Sequence, residues 1–319
     1  MIKLIKGPKI LVFFITYRCN SRCIMCHIWE KQNTVKEMNL EEIAKIFQDH
    51  LLKDSLEIIN ITGGEPTLRP DLREIIKILI QKCPNLKRID MPTNGIDTDR
   101  VLDKTEQILA LLFPEQKIRM TVTVSIDGIN EIYERVRNVE NGFERVKKTV
   151  VGLKELANLY PYMSLNINTV ITKANYNHLE EILKFAKNFG LGINFTLGAI
   201  SEIGVESIKK KDEFMMNEEE KKSVSNFIKT LNRDKIISGK YANFLINLLL
   251  KERRIFGCSF RQRRAVLLEP DGNIYLCGNF KKFLLGNVIY ENFYNIWQNG
   301  IFTKRDWRIC RRCESNCYF

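Results

Sequence analysis

The sequence predicts an α/β protein built on a parallel sheet or barrel, and three observations carry that expectation. Strand-like and helix-like runs alternate in about six β–α steps, with strands about 30–45 residues apart. The first strand-like run, residues 10–16 (ILVFFIT), is continuously apolar, as a strand buried on both faces requires. The unusual polar and cysteine-bearing motifs fall just after the strands, where parallel α/β barrels place their active sites.

The elements follow in order. Asn39 is a helix N-cap ahead of residues 40–50. Residues 55–62 (SLEIINIT) form the second strand, 71–82 a helix, 86–93 the third strand and 97–113 a helix. Residues 117–127 (KIRMTVTVSID) alternate and are rich in β-branched side chains, which marks the fourth strand. A helix over 142–159, a strand over 162–171, a helix over 175–189 and a strand over 191–199 complete the alternation. Residues 198–217, with Lys209, Lys210 and Lys211, read as a polar loop or lid, followed by helices over 217–231 and 238–252. From about Gly257 cysteines, glycines and aromatics become dense. This places a boundary near Phe256, with a core over 1–256 and a small cysteine-rich domain over 257–319.

With 319 residues, 45% hydrophobic and 28% charged, the chain has the composition of a soluble globular protein. Its longest apolar runs, such as 10–15, are too short to span a bilayer. The basic N-terminus is followed by no apolar signal core, so a reducing cytoplasm is expected, where nine cysteines serve as thiols or metal ligands. The net charge is +12, and residues 251–319 alone hold 13 Lys and Arg against 6 Asp and Glu. Such a surplus suits an anionic partner or a solvated basic surface, and bound thiolates would reduce it.

Cys19, Cys23 and Cys26 follow the first strand in a C-x3-C-x2-C spacing. Each iron of a [4Fe–4S] cluster takes a thiolate, so three cysteines leave one iron open to an external ligand. Zinc with His27 as fourth ligand is the alternative, but His27 adjoins Cys26, and neighbouring residues rarely reach one tetrahedral ion. The second strand is followed by Gly63-Gly64-Glu65-Pro66, where two glycines permit close backbone approach and the glutamate offers a carboxylate to a cation. Thr93-Asn94-Gly95 follows the third strand, and Ser125-Ile126-Asp127-Gly128 ends the fourth. Each of these fragments reads singly as a turn. Four successive strand ends carrying cluster ligands, a glycine–carboxylate loop and polar tips point to one site.

With CNSRCIMC, GGEP, TNG and SIDG in this order, residues 10–199 resemble the radical S-adenosylmethionine (SAM) superfamily. The resemblance implies a partial (β/α)6 TIM-like barrel in which Cys19, Cys23 and Cys26 hold a [4Fe–4S] cluster. SAM would bind its open iron, with Gly63, Gly64 and Glu65 at the methionine ammonium. Ser125 and Asp127 would face the ribose or the methionyl carboxylate, and Asn94 would be a nearby polar contact. Met25 stands where the family usually has an aromatic residue; its backbone would contact adenine. The implied activity is reductive cleavage of SAM to a 5′-deoxyadenosyl radical that abstracts hydrogen from an organic substrate, with a flavodoxin or ferredoxin as electron donor.

The C-terminal region is similar to the SPASM and Twitch extensions. Cys258-x13-Gly272-x4-Cys277 is followed by Leu285-Gly286-Asn287 and Ile296-Trp297, then by Cys310-x2-Cys313-x3-Cys317. The likeness implies one auxiliary [4Fe–4S] cluster on Cys258, Cys277 and two of Cys310, Cys313 and Cys317; a structural zinc ribbon is the alternative. Peptide or protein modification is the expected function, against radical modification of a carbohydrate, nucleotide or lipid-linked metabolite. A non-catalytic iron–sulfur electron carrier is the alternative from another class. About ten residues precede the first strand, so no fused leader-binding domain is expected there. Cys83, His50 and His178 read as structural, and Arg137 as a ligand for an anion or a solvent-facing side chain. Arg261, Arg263 and Arg264 read as a basic hairpin beside the auxiliary cluster, and a nucleic-acid partner is not expected.

Overall fold

The computed structural model describes residues 6–113, 117–198, 214–251, 257–300, 302–303, 310 and 313. The loop or lid expected around Lys209–Lys211, the boundary at Phe256 and Cys317 lie outside them.

Six parallel strands run in sequence order from the middle of the sheet to one edge: β1 (Ile10–Thr16), β2 (Ile58–Gly63), β3 (Arg88–Thr93), β4 (Arg119–Ser125), β5 (Met163–Ile171) and β6 (Gly192–Leu197). On the other side of β1 lie β7 (Ala265–Leu268), β8 (Asn273–Tyr275) and β9 (Leu284–Asn287). β7 pairs parallel with β1, Ile10 opposite Ala265, while β8 and β9 continue antiparallel. β1 is therefore paired on both edges, and both its faces are covered. Leu11, Phe13 and Ile15 lie in the main core and Val12 packs with Phe260 and Leu267 in a second cluster, which is why residues 10–15 are all apolar. The sheet and the main core cross from the N-terminal to the C-terminal region: Phe283, Phe293, Ile296 and Trp297 share one cluster with Leu11, Phe13 and Ile61.

The connections are helical: α1 (Leu40–Ile46), α2 (His50–Ser55), α3 (Leu72–Lys82), α4 (Thr98–Leu112), α5 (Glu131–Arg137), α6 (Gly142–Leu159) and α7 (Leu179–Phe189). α8 (Glu218–Arg233) and α9 (Gly239–Lys251) form a pair after the barrel, and α10 (Phe293–Asn299) packs on α2. Asn39 caps α1 as expected, accepting from Glu42 N at 2.9 Å while Glu42 accepts from Asn39 N at 2.8 Å. The helix expected over 40–50 is two helices, because Asp49 accepts from Leu51 N and Leu52 N and starts α2. The second strand consequently begins at Ile58, not at residue 55. α7 begins four residues later than expected because Asn175 is buried and engaged elsewhere, donating to Asp127 O at 2.8 Å and Val170 O at 2.9 Å.

Alternation along the strands separates two faces. Met120, Val122 and Val124 of β4 and Leu165, Ile167 and Ile171 of β5 are buried in the core they share with the helices. Thr121, Thr123, Ser125, Asn166 and Asn168 occupy the opposite face and are only half-buried. A closed eight-stranded barrel fills its interior with packed apolar layers. This partial barrel keeps a polar concave face, and its upper residues form the floor of the site.

Candidate active site

Thr62, Pro92, Ser125 and Val170, the top residues of that face, line a cleft of about 930 Å³ of empty space, part of it open to solvent. Cys19, Cys23, Cys26, Met25, Gly63, Gly64, Glu65, Asn94 and Arg137 line the same cleft. Three cysteines and residues from four strand ends, separate in sequence, thus meet at one place.

The cysteine loop is held from below by the end of α5. Arg137 O accepts from Ser21 Oγ at 2.9 Å and Arg22 N at 3.2 Å, and Val136 O accepts from Ile24 N at 3.0 Å. These carbonyls, left without intrahelical partners at a helix C-terminus, are satisfied by the loop. Asn94 Nδ2 donates to Asn20 Oδ1 at 2.7 Å from the other side. Burial pushes the Cys19 thiol up to about 11 and, with Cys23 adding to it, the Cys26 thiol up to about 12. Such thiols ionise readily only when a metal supplies the positive charge.

The two glycines serve the chain as well as the cleft. A Cβ on Gly63, at φ +127°, would stand 2.2 Å from Thr16 O, and one on Gly64 would stand 2.1 Å from Arg18 O. The backbone itself is the close neighbour: Gly64 N and Glu65 N donate at 2.8 Å to Thr16 O and Arg18 O. Glu65 is buried at the floor of the cleft and accepts from Thr67 Oγ1 at 2.8 Å, Thr93 Oγ1 at 2.9 Å and Asn94 N at 2.7 Å. Burial nonetheless raises its pKa above the ordinary carboxylate range.

Asp127 departs from the expectation that it faces a ligand. It is wholly enclosed and lies outside the cleft lining, with Oδ1 accepting from Val170 N at 2.7 Å and Oδ2 2.5 Å from Arg137 Nη2. The Oδ2 contact is an ion pair without aligned hydrogen-bond geometry. Arg137 is the side chain that reaches the cleft in its place, and Ser125 also lines the cleft. Arg69 carries no motif and was not singled out from the sequence. Its buried guanidinium donates to Ile15 O at 2.7 Å and Met38 O at 2.5 Å and pairs with Asp71 at 2.7 Å and Glu37 at 3.4 Å. Glu37 also accepts from Thr16 Oγ1 and Arg18, so this network pins the end of β1 beneath the cysteine loop.

A second group of cysteines gathers where β8 ends. Cys277, Cys310 and Cys313 are buried and Cys258 half-buried. Asn279 spans two of them, its N–H 3.4 Å from Cys277 Sγ and its Nδ2 3.8 Å from Cys313 Sγ. Burial, with Cys313 and Cys258 adding to it, pushes the Cys277 thiol up to about 12. Among the described residues no three His, Cys, Asp or Glu side chains converge closely enough for a single metal ion. All-sulfur donor sets, N–H groups aimed at the sulfurs and an open cleft beside the first set fit iron–sulfur clusters.

The remaining candidates are structural. Cys83 ends α3 inside the core, where burial pushes its thiol up to about 12. His50 lies in tilted ring contact with Tyr294, and His178 pairs with Glu181. His27 is buried, with Nδ1 2.9 Å from Glu30 Oε1. Arg263 turns inward over the Trp297 ring and donates to Trp297 O and Gly300 O, so it belongs to the packing of α10.

A partial barrel with a three-cysteine cleft at its strand ends and a second cysteine group after β8 defines an iron–sulfur enzyme of the radical type. The chain belongs to the radical SAM superfamily, whose family model matches residues 13–186; the model of an iron–sulfur cluster-binding domain, SPASM, matches residues 258–318. It is therefore a radical SAM enzyme that takes a SAM-binding [4Fe–4S] cluster, an auxiliary iron–sulfur cluster and SAM. The mycofactocin maturase MftC of Mycolicibacterium smegmatis is 25% identical over 302 residues, 92% of this chain and 71% of that protein. A GTP 3′,8-cyclase of Aquifex aeolicus is 29% identical over 226 residues, 67% of this chain and 65% of that protein. The structure of native anSMEcpe with bound AdoMet and Cp18Cys peptide superposes with a TM-score of 0.63 at 18% identity, covering 97% of this chain and 88% of that one. No helix among the described residues is long and apolar enough to cross a membrane.

Proposed function

We propose that this chain is a cytoplasmic radical SAM enzyme that modifies a peptide or protein, with Cys19, Cys23 and Cys26 as the ligands of its SAM-binding cluster. The convergence of these thiols with Glu65, Asn94, Ser125 and Arg137 on one cleft carries the reading. When bound, the cluster and SAM supply one-electron cleavage to methionine and a 5′-deoxyadenosyl radical, which takes hydrogen from the substrate.

The chain's own groups bind and orient. Among the described residues, the hydrogen-bond donors to Glu65 are all neutral. A buried carboxylate in that setting is completed by a cation, which the methionine ammonium provides. Gly63 and Gly64 carry the backbone past it. Ser125 offers a hydroxyl to the ribose or the methionyl carboxylate, Asn94 a nearby amide and Met25 its backbone to adenine. Arg137 Nε, buried without a hydrogen-bond partner, suits the carboxylate. Residues 257–319 act as an auxiliary unit on the 1–256 core, with Cys258, Cys277 and two of Cys310, Cys313 and Cys317 supplying the second cluster's four ligands. A flavodoxin or ferredoxin is the proposed electron donor.

Two likenesses favour a peptide substrate: the maturase that aligns over most of the chain, and the peptide-bound neighbour of similar fold. The match to a GTP 3′,8-cyclase favours a nucleotide instead, over a shorter stretch. The test is anaerobic. The reconstituted enzyme is given SAM, reductant and either pooled synthetic peptides or nucleoside triphosphates, and 5′-deoxyadenosine is quantified. Stimulation by peptides alone agrees with the proposal, whereas stimulation by GTP alone overturns the substrate class.

A further inference from the structure

Cys23 Sγ has two polar neighbours of unequal kind. Ser21 Oγ lies 3.1 Å away and is neutral; Arg137 Nη1 lies 3.5 Å away and carries charge. Arg137 is buried, and its other terminal nitrogen sits 2.5 Å from Asp127 Oδ2. Asp127 has no exposed surface, and its second oxygen is held by Val170 N. The pair is thus a fixed dipole in a poorly screened interior, with its positive end on one cysteine sulfur and its negative end directed away.

An iron–sulfur cluster gains one negative charge when it takes an electron from its donor. A positive group at a ligand sulfur stabilises that reduced form, and a hydrogen bond to the sulfur acts in the same direction. We propose that the Asp127–Arg137 pair tunes the reduction potential of the cluster on Cys19, Cys23 and Cys26, with Arg137 raising the potential and Asp127 offsetting part of that rise. The inference rests on the ligand assignment above. It makes Asp127 a positioning and charge-balancing residue, which explains a carboxylate at this strand end that does not reach the cleft.

The test is an EPR-monitored redox titration of the full-length, anaerobically reconstituted enzyme. Its iron and sulfide content are measured alongside, and the cluster in question is recognised by the change of its signal on adding SAM. Asp127→Asn keeps the side-chain shape and leaves the guanidinium uncompensated, so its midpoint lies above wild type. Arg137→Gln removes the charge at Cys23, so its midpoint lies below, and Arg137→Lys lies closer to wild type. A merely structural role would not move the two midpoints in opposite directions. Equal midpoints at full iron content, or shifts of the same sign, overturn the inference. If Arg137→Gln holds no cluster, Asp127→Asn decides: an upward shift upholds the tuning, and an unchanged or lowered midpoint overturns it. A wild-type chain that assembles clusters without a SAM-responsive signal overturns the ligand assignment and the tuning together.

Discussion

Arg18 O lies 2.1 Å from the point where a Cβ on Gly64 would stand, and it accepts the Glu65 N–H at 2.8 Å. The Gly63-Gly64-Glu65 loop and the cysteine loop are therefore pressed together backbone to backbone. A methyl at position 64 cannot be absorbed by rotating a side chain, so Gly64→Ala must separate the loops. Overpacking of this kind costs about 1–3 kcal/mol. The expected outcome is a lower urea midpoint and a loss of SAM binding by isothermal calorimetry that exceeds the loss of stability. Unchanged SAM affinity would mean that the loops need not touch.

Glu65→Gln keeps the shape of the side chain and removes its charge. The amide also turns one acceptor into a donor facing Thr67, Thr93 and Asn94 N–H. A hydrogen bond to a charged group is worth about 1.5–3 kcal/mol, so SAM affinity should fall by about 10- to 100-fold. Iron content should be unaffected, because Glu65 is not a thiol ligand.

Arg69 predicts a stability effect away from the chemistry. Arg69→Ala leaves Ile15 O and Met38 O without their donor and Glu37 and Asp71 without a buried counter-charge. Breaking a buried pair in this way destabilises by about 3–5 kcal/mol, and chemical denaturation should show a loss in that range. A loss below about 1 kcal/mol would show that the network behaves like an exposed ion pair.

The second group of cysteines can be removed without touching the first. Cys277→Ala with Cys313→Ala should lower iron from about eight to about four atoms per chain. The SAM-responsive EPR signal should persist in that double variant. Loss of both clusters together would show that the C-terminal region is needed to hold the first site.

Much of the site could be read from the sequence because its motifs sit at strand ends, and apolar runs mark strands strongly. Alternation over residues 117–127 marked β4, and Asn39 marked its helix start through a local cap. What escaped were features set by distant partners. Asp127 and Ser125 share a motif and a parity, yet Asp127 turns inward because Arg137, across the turn into α5, and Val170 N, on the neighbouring strand, claim its oxygens. α5 is only seven residues long, too short for helical periodicity to show. Arg69 looks like any surface arginine until β1 and residues 37–38 close around it. The pairing of β7 with β1 makes the C-terminal region continue the central sheet, and no local pattern announces a pairing across some 250 residues.

Radical SAM chemistry on Cys19, Cys23 and Cys26 is tested by quantifying 5′-deoxyadenosine by mass spectrometry after anaerobic reconstitution with iron and sulfide and addition of SAM and dithionite. Wild type and Cys26→Ala are compared at matched protein concentration. Wild type is expected to form 5′-deoxyadenosine and Cys26→Ala none. Equal product from the two proteins, or none from a wild type with its full complement of iron, would contradict that expectation.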